Sequence, residues 1–175
     1  MPGADAPGSF GIGEDGAMAR EIERKFLLGE VPQTLRFARG EAIKQGYLAL
    51  DGDTEVRLRT GSAPPRLTIK SGRGEVRTEV ELPVEGDDAQ ALWDLTEGRR
   101  LEKTRRVMCI DGVRAEVDEY TGDLAGLVVV EVEFDDEQAA RAFTPPPWFG
   151  PELTGDPAYA NRSLACDGLP QAGTG

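Results

Sequence analysis

Two glutamates and a lysine alternate near the start of the sequence, in Glu21-Ile22-Glu23-Arg24-Lys25. Side chains of a β-strand alternate between its two faces, so Glu21, Glu23 and Lys25 would form one row. Carboxylates bind hard cations and an ammonium group binds phosphate, so this row suits a site that holds a metal ion and an anion together. A solvated edge strand carries similar charges, so the interpretation depends on whether other strands repeat the row.

The alternation of charged residues recurs along the chain. Carboxylates paired at i, i+2 spacing occupy one row of four predicted strands, and basic residues occupy the same row of three others. Such carboxylate pairs would bind a hard cation, and basic residues beside them would bind a polyanion. The acidic pairs are Glu21/Glu23, Glu79/Glu81, Glu116/Asp118 and Glu131/Glu133, and the basic residues are Arg57, Arg59, Lys70, Lys103 and Arg105.

The elements that must position these side chains are mainly β-strands. Period-2 alternation of apolar and charged residues predicts eight strands, and Asp51-Gly52-Asp53 and Asp111-Gly112 are typical hairpin turns. Gly46, within the second strand, indicates a bulge or a close approach of another segment. The predicted strands span 19–28, 41–50, 54–60, 66–71, 75–82, 101–110, 113–120 and 127–134.

Short helices interrupt this series of strands. They are predicted at 31–38, from Asp87 or Asp88 to 97, at 135–143 and at 156–166. The second helix would bury Ala91, Leu92 and Leu95, and the last would begin at the capping residue Asp156. Amphipathic helices pack on an apolar surface, so the apolar face of the sheet is their expected partner.

Two architectures accommodate this pattern. In a β-sandwich the charged rows would simply face solvent. If the sheet instead closed with its charged rows inward and its apolar side under the helices, the result would be a charged tunnel, and eight strands enclose about one small ligand. The residue pattern alone leaves both architectures open.

Composition narrows the classes of function. The 175 residues fit one domain, and 32 acidic against 20 basic residues give a net charge of −12, which disfavours nucleic-acid binding. The chain has no histidine, so a metal would bind oxygen ligands, as Mg²⁺, Mn²⁺ or Ca²⁺ does. Two cysteines, Cys109 and Cys166, are too few for a disulfide framework and fit a reduced cytoplasmic setting. No apolar run approaches the about 18 residues of a membrane span.

The motifs taken together resemble the CYTH family, the triphosphate tunnel metalloenzymes. The resemblance begins with EIERKF at 21–26, which is similar to the ExExK signature of the family, and extends over roughly 19–166. It continues in family order with QGYL at 45–48, EVRLR at 55–59, LTIK at 67–70, RTEVE at 77–81, KTRR at 103–106, EVDEYTGDLAGL at 116–127, EVEF at 131–134 and a YxN…LA element formed by Tyr159, Asn161, Leu164 and Ala165.

The resemblance implies an eight-stranded antiparallel β-barrel, mainly β with some α, whose charged interior forms a tunnel. Short helices would pack outside, and a C-terminal helix would plug the tunnel. Family members bind triphosphates with Mg²⁺ or Mn²⁺, and Glu21, Glu23 and Lys25 match their catalytic signature. By position, the metal ligands are Glu21, Glu23, Glu131 and Glu133; the phosphate ligands are Lys25, Arg57, Arg59, Lys70, Lys103 and Arg105; and the further tunnel acids are Glu79, Glu81, Glu116 and Asp118.

Some positions depart from the family pattern. Ala115 and Arg106 stand where an aromatic residue is common, and Ala160 stands where a larger polar residue is common in the plug helix. The alanine puts a substrate contact from that helix in doubt. Arg162 could substitute for it, although an exposed helix arginine is the simpler interpretation. The aromatic residues Tyr47, Tyr120 and Trp148 are interpreted as structural.

The resemblance favours hydrolysis of inorganic triphosphate to diphosphate and phosphate. Thiamine triphosphate, nucleoside triphosphates and the cyclisation of ATP are the family alternatives, and a polyphosphate- or nucleotide-binding module is the non-enzymatic one. We expect a flexible leader at 1–17, one domain at 18–168 and a flexible tail at 169–175. We also expect a cytoplasmic monomer or homodimer with a small polyanionic substrate and no nucleic-acid or membrane partner.

Overall fold

The computed structural model describes residues 22–72 and 78–171. Glu21, the leader predicted at 1–17, the start of the fifth predicted strand at 75–77 and the tail from 172 onward lie outside the described residues. All eight predicted strands are present. They are β1 (Ile22–Leu28), β2 (Glu41–Asp51), β3 (Thr54–Gly61), β4 (Arg66–Ser71), β5 (Thr78–Pro83), β6 (Arg100–Ile110), β7 (Val113–Tyr120) and β8 (Val128–Phe134).

The strands form one antiparallel sheet in the order β1-β8-β7-β6-β2-β3-β4-β5. Residues of all eight strands line a single cavity, so the sheet curves around it. This confirms the predicted eight-stranded, mainly β architecture with a charged interior. Within the described residues the edge strands β1 and β5 do not pair, and the hydrogen-bonded ladder is open between them.

The outer face of β1, β8 and β7 carries the larger apolar core. Phe26, Val117, Val130 and Val132 are almost fully buried there, as the period-2 pattern predicts. Ala115, one of the departures from the family pattern, is also fully buried in this core. Residue 115 therefore packs in the apolar core and does not form part of the cavity wall, so an alanine there leaves the wall unchanged.

The helices are shorter than the sequence predicts. The α-helices are α1 (Gly86–Asp94), α2 (Glu137–Ala142) and α3 (Asn161–Asp167), and the segment predicted at 31–38 contains only a 3₁₀ turn, Gln33–Leu35. The predicted last helix is divided, because Ala160 has extended backbone angles (φ −68°, ψ 139°). Asp156 caps the preceding 3₁₀ turn, Pro157–Tyr159, by accepting from the Ala158 N–H.

The prediction that α1 buries Ala91, Leu92 and Leu95 is wrong. The helix has no buried residue, and Leu95 is 66% exposed. The turn after the helix instead buries Thr96 completely, against the backbone of Gly46. A Cβ at Gly46 would lie 2.4 Å from the Thr96 hydroxyl oxygen, so the close approach inferred for this glycine is confirmed. A shift of register between Tyr47 and Ala49 places a bulge beside it.

A second, smaller core closes one end of the sheet. Tyr47, Leu101, Tyr120 and Val129 project from the inner face of the strands and pack with Leu164 of α3. The predicted C-terminal plug helix is therefore present. Among the described residues, no helix combines the length and the apolar character needed to span a membrane.

Candidate active site

The curved sheet encloses a cavity of about 1050 Å³. Because side chains alternate along each strand, the charged rows of the sequence project into it. Asp118 belongs to the same inward row as Glu116, but it is fully buried and does not line the cavity. Glu21 lies outside the described residues. The predicted residues that line the cavity are Glu23, Lys25, Arg57, Arg59, Lys70, Glu79, Glu81, Lys103, Arg105, Glu116, Glu131 and Glu133.

Asp118, Lys103 and Arg105 form a largely buried cluster of charged residues on β6 and β7. Asp118 accepts from Lys103 Nζ at 2.6 Å and from Arg105 Nε and Nη2 at 2.7 Å each. Burial alone would raise the pKa of Asp118, but Lys103 and Arg105 outweigh it and hold that pKa below its ordinary value. The family resemblance left open whether Asp118 binds metal or holds basic residues in place; here it accepts from two basic side chains and does not line the cavity.

Lys103 and Arg105 respond differently to this environment. Burial lowers the pKa of Lys103, and the opposing attraction of Asp118 does not restore it. Burial also disfavours the charged form of Arg105, but its hydrogen bonds with Asp118 and its attraction to Asp118 and Glu116 raise its pKa overall. Arg105 therefore stays cationic, and Lys103 is held in its buried ion pair with Asp118.

Glu131 links β8 to the neighbouring strands. It lies 2.7 Å from Lys25 Nζ and 3.2 Å from Arg105 Nη2. Burial would raise the pKa of Glu131, but the two lysines, Lys25 and Lys103, bring it below its ordinary value. As a carboxylate with two cationic partners, Glu131 has less freedom to bind a metal ion than the more exposed acids of the same wall.

Glu23 and Glu133 are those more exposed acids. They are cross-strand partners on β1 and β8, and both face the cavity. Arg114 of β7 approaches this pair, with Nε 3.5 Å from Glu133 and Nη2 2.5 Å from Glu116. Arg114 shares a row with Glu116 in the sequence but was not predicted as a site residue; the i, i+2 spacing was the available signal.

The opposite wall, on β3, β4 and β5, carries basic residues that each contact an acid. Arg57 Nη1 lies 3.1 Å from Glu55 Oε1, and Lys70 Nζ lies 2.8 Å from Glu79 Oε2. Arg57 Nε is buried without a hydrogen-bond partner among the described residues. On the same wall, Arg59 lies 3.5 Å from Glu41, and Glu81 accepts from Thr68 at 3.4 Å.

Neutral polar residues complete the lining. Gln45 Nε2 donates to the Tyr47 hydroxyl at 2.7 Å, and both residues face the cavity. Burial raises the pKa of Tyr47, so its hydroxyl stays protonated. Tyr47 packs in the smaller core, as its structural interpretation requires, and it also forms part of the cavity wall, which the sequence did not predict.

The acids present fit a hard divalent cation in chemical type. Among residues 22–72 and 78–171, no three acidic or sulfur side chains converge closely enough to form a complete metal site. Mg²⁺ commonly uses one or two protein carboxylates and takes its remaining ligands from water and substrate phosphates. Glu23 and Glu133 would supply such a pair, since both carry the oxygen donors that Mg²⁺ and Mn²⁺ prefer.

Comparisons with known proteins agree with this architecture. Residues 19–144 match the CYTH domain. The chain is 45% identical to an inorganic triphosphatase of Nitrosomonas europaea over 147 residues, which cover 83% of this chain and 96% of that protein. It is 39% identical to an inorganic triphosphatase of Acetivibrio thermocellus over 151 residues, which cover 84% of this chain and 94% of that protein.

A solved structure shares the fold. The crystal structure of an inorganic triphosphatase superposes with a TM-score of 0.70 at 41% sequence identity, and covers 86% of this chain and 97% of the other. The domain match spans well over half of the chain, and the two relatives align over nearly their whole length. The chain therefore belongs to the CYTH domain family.

Proposed function

We propose that this protein hydrolyses inorganic triphosphate to diphosphate and phosphate with the help of a divalent cation. The observation that carries the proposal is the lining of the cavity. Basic side chains on β3 and β4 face a wall on which two exposed carboxylates, Glu23 and Glu133, lie side by side. A polyanion and a hard cation fit between these walls together, and the named activity of both relatives agrees with that substrate.

The cavity suits phosphoryl transfer because this reaction requires positioning and charge stabilisation more than covalent chemistry. Arg57, Arg59 and Lys70 would bind successive phosphates from one side, and Lys25 and Arg105 from the other. Fixed cationic groups of this kind stabilise charge that develops on phosphate oxygens. Asp118 contributes by holding Arg105 through two hydrogen bonds, so the guanidinium need not reorganise during the reaction.

Glu23 and Glu133 would hold Mg²⁺ or Mn²⁺, with Glu131 and Glu21 as further proposed ligands. When bound, such a cation neutralises phosphate charge and activates water. The chain has no histidine, so the proton of an attacking water must pass to a carboxylate or an amine. Lys103 donates to Asp118 as a cation, so we propose a carboxylate beside it as the group that accepts that proton.

The test is phosphate release from inorganic triphosphate, ATP and thiamine triphosphate in parallel, each with Mg²⁺, with Mn²⁺ and with EDTA. Metal-dependent release from inorganic triphosphate, fast relative to the two esters, is the expected result. Preferred release from an ester would instead identify one of the family alternatives. Binding of triphosphate without release from any substrate would favour a cyclase or a binding module.

A further inference from the structure

The beginning of α3 forms one end of the cavity. Residues 160–162 line it, and two hydrogen bonds fix this segment to the wall. Lys25 Nζ donates to the Tyr159 carbonyl at 3.4 Å, and Arg162 Nη1 donates to the Gly52 carbonyl in the β2–β3 turn at 3.2 Å. The beginning of α3 is thus attached both to β1 and to the β2–β3 turn. These two contacts fix the positions of the side chains that this segment directs into the cavity.

Asn161, the single asparagine of the chain, has an orientation set by Tyr120. The Tyr120 hydroxyl donates to Asn161 Oδ1 at 2.7 Å. Tyr120 is 2% exposed, and burial keeps its pKa well above the ordinary value, so the hydroxyl remains a donor. A carboxamide whose oxygen is bound on one side must direct its NH₂ group to the other.

Among residues 22–72 and 78–171, the NH₂ group of Asn161 has no hydrogen-bond acceptor. Within the described ranges, Asn161 makes no hydrogen bond through Nδ2, and that atom is not buried. The basic residues nearby differ in this respect, because Arg57 and Lys70 already contact Glu55 and Glu79. Asn161 thus offers the cavity a neutral donor that need not leave a carboxylate in order to bind an anion.

We propose that Asn161 donates a hydrogen bond to the terminal phosphate of the substrate that lies at the α3 end of the cavity, one of the two equivalent ends of inorganic triphosphate. Tyr120 is the positioning residue that acts through it. The inference rests on the proposed function, since the phosphate is that of a bound triphosphate. It also gives the plug a substrate contact although residue 160 is alanine. The contact comes from the next residue, whose side chain is held by β7.

Two substitutions at residue 161 distinguish loss of the hydrogen-bond donor from loss of stability. Asn161→Asp keeps an acceptor for Tyr120 but replaces the donor with an anion. Asn161→Ala removes the donor without adding charge. We expect each to raise the Kd for inorganic triphosphate by about tenfold or more, measured by calorimetry in EDTA so that no metal-dependent turnover consumes the ligand. A loss of this size is the effect of losing a hydrogen bond to a charged group. We expect KM to rise more than kcat falls.

Tyr120→Phe tests the positioning role. It should weaken triphosphate binding by less than Asn161→Ala, and it should add little when combined with Asn161→Ala, because the two residues act through one contact. Ser163→Ala is the matched control. It removes a polar group from the same helix at a residue outside the cavity lining, and it should leave Kd and turnover unchanged.

The proposal is overturned if Asn161→Ala lowers the melting temperature but leaves Kd unchanged, or if the effects of Tyr120→Phe and Asn161→Ala on Kd add fully. The proposed function is judged on a different result, the turnover of the unmodified protein. A protein that binds triphosphate without hydrolysing it would refute that function, and the binding series would still decide the role of Asn161. A protein that binds no triphosphate refutes both.

Discussion

At the scale of single residues, exposure separates the acids of the cavity. Glu23 and Glu133 are exposed to the cavity, whereas Glu131 and Asp118 are buried against basic side chains. Acids held in buried ion pairs are costly to alter, because removal of one partner leaves the other charge uncompensated. Exposed acids can be changed with less effect on folding, so they are the better test of metal binding.

We predict that Glu23→Gln lowers metal-dependent triphosphate hydrolysis by about a hundredfold or more, the scale on which loss of one charge-stabilising group acts. Glutamine keeps the shape of the side chain and removes only the charge, so the melting temperature should change little. Phosphate release and thermal unfolding measured on the same preparation check this. Glu97→Gln, at an exposed residue of the turn after α1, is the control. Full turnover in Glu23→Gln would refute the metal assignment.

Asp118 leads to a prediction about acid stability. Its folded pKa lies below the ordinary value, so the unfolded chain takes up this proton at a higher pH than the folded protein. The free energy of unfolding must therefore fall as the pH decreases from about 4 through the folded pKa. Urea denaturation between pH 3 and 7 measures that slope.

Asp118→Asn should flatten the slope. At neutral pH it should also cost about 3 kcal/mol or more, because Lys103 would be left buried without its counter-charge and Arg105 would lose one of its three acidic partners. An unchanged acid slope in the variant would show that other carboxylates cause the loss of stability at low pH.

At the scale of the elements, the close packing of Gly46 against Thr96 connects the fold to the site. We predict that Gly46→Ala destabilises the protein by about 1–3 kcal/mol, the usual cost of overpacking. It should also raise KM, because a displaced β2 carries Gln45 and Tyr47 with it. Thr96→Gly in the same chain should restore part of both losses. If Gly46→Ala were neutral in thermal unfolding, the turn after α1 would have to be more adaptable than the structure indicates.

The strands were predictable because their signal is local. Alternation along β3 and β5 assigns each side chain to a face without knowledge of any partner strand. The depth of a residue within the wall was not predictable in this way. Glu116 and Asp118 are both acids in one row of β7, yet Glu116 lines the cavity, whereas Asp118 is buried in contact with Lys103 and Arg105.

The helices depended on tertiary packing that the sequence does not display. Leu95 continues the apolar pattern of α1. The segment after α1, however, packs against the backbone of Gly46, where only a small side chain fits. Thr96 occupies it, and Leu95 remains exposed. Similarly, the division of the last predicted helix at Ala160 follows from the attachment of the plug to the sheet, which involves residues more than 100 positions away in sequence.

At the scale of the whole molecule, a net charge of −12 opposes the approach of an anionic substrate, and a cation offsets that charge locally. We predict that inorganic triphosphate with Mg²⁺, at about 100 times its Kd, raises the melting temperature by about 5–10 °C. The rise should be much smaller with EDTA. Inorganic phosphate at equal ionic strength is the control. An equal rise in EDTA would contradict a role for the cation in substrate binding.

Nearly every basic side chain that lines the cavity is paired with a carboxylate. This pairing affects how the cavity binds an anion and a cation. We expect an arriving phosphate to take the place of a carboxylate as the counter-ion of an arginine or lysine, as an anion does on an ion-exchange resin. The displaced carboxylate would then be available to a cation. Uptake of anion and cation would therefore be linked, and such linkage is reciprocal: each ion would strengthen the binding of the other by the same factor.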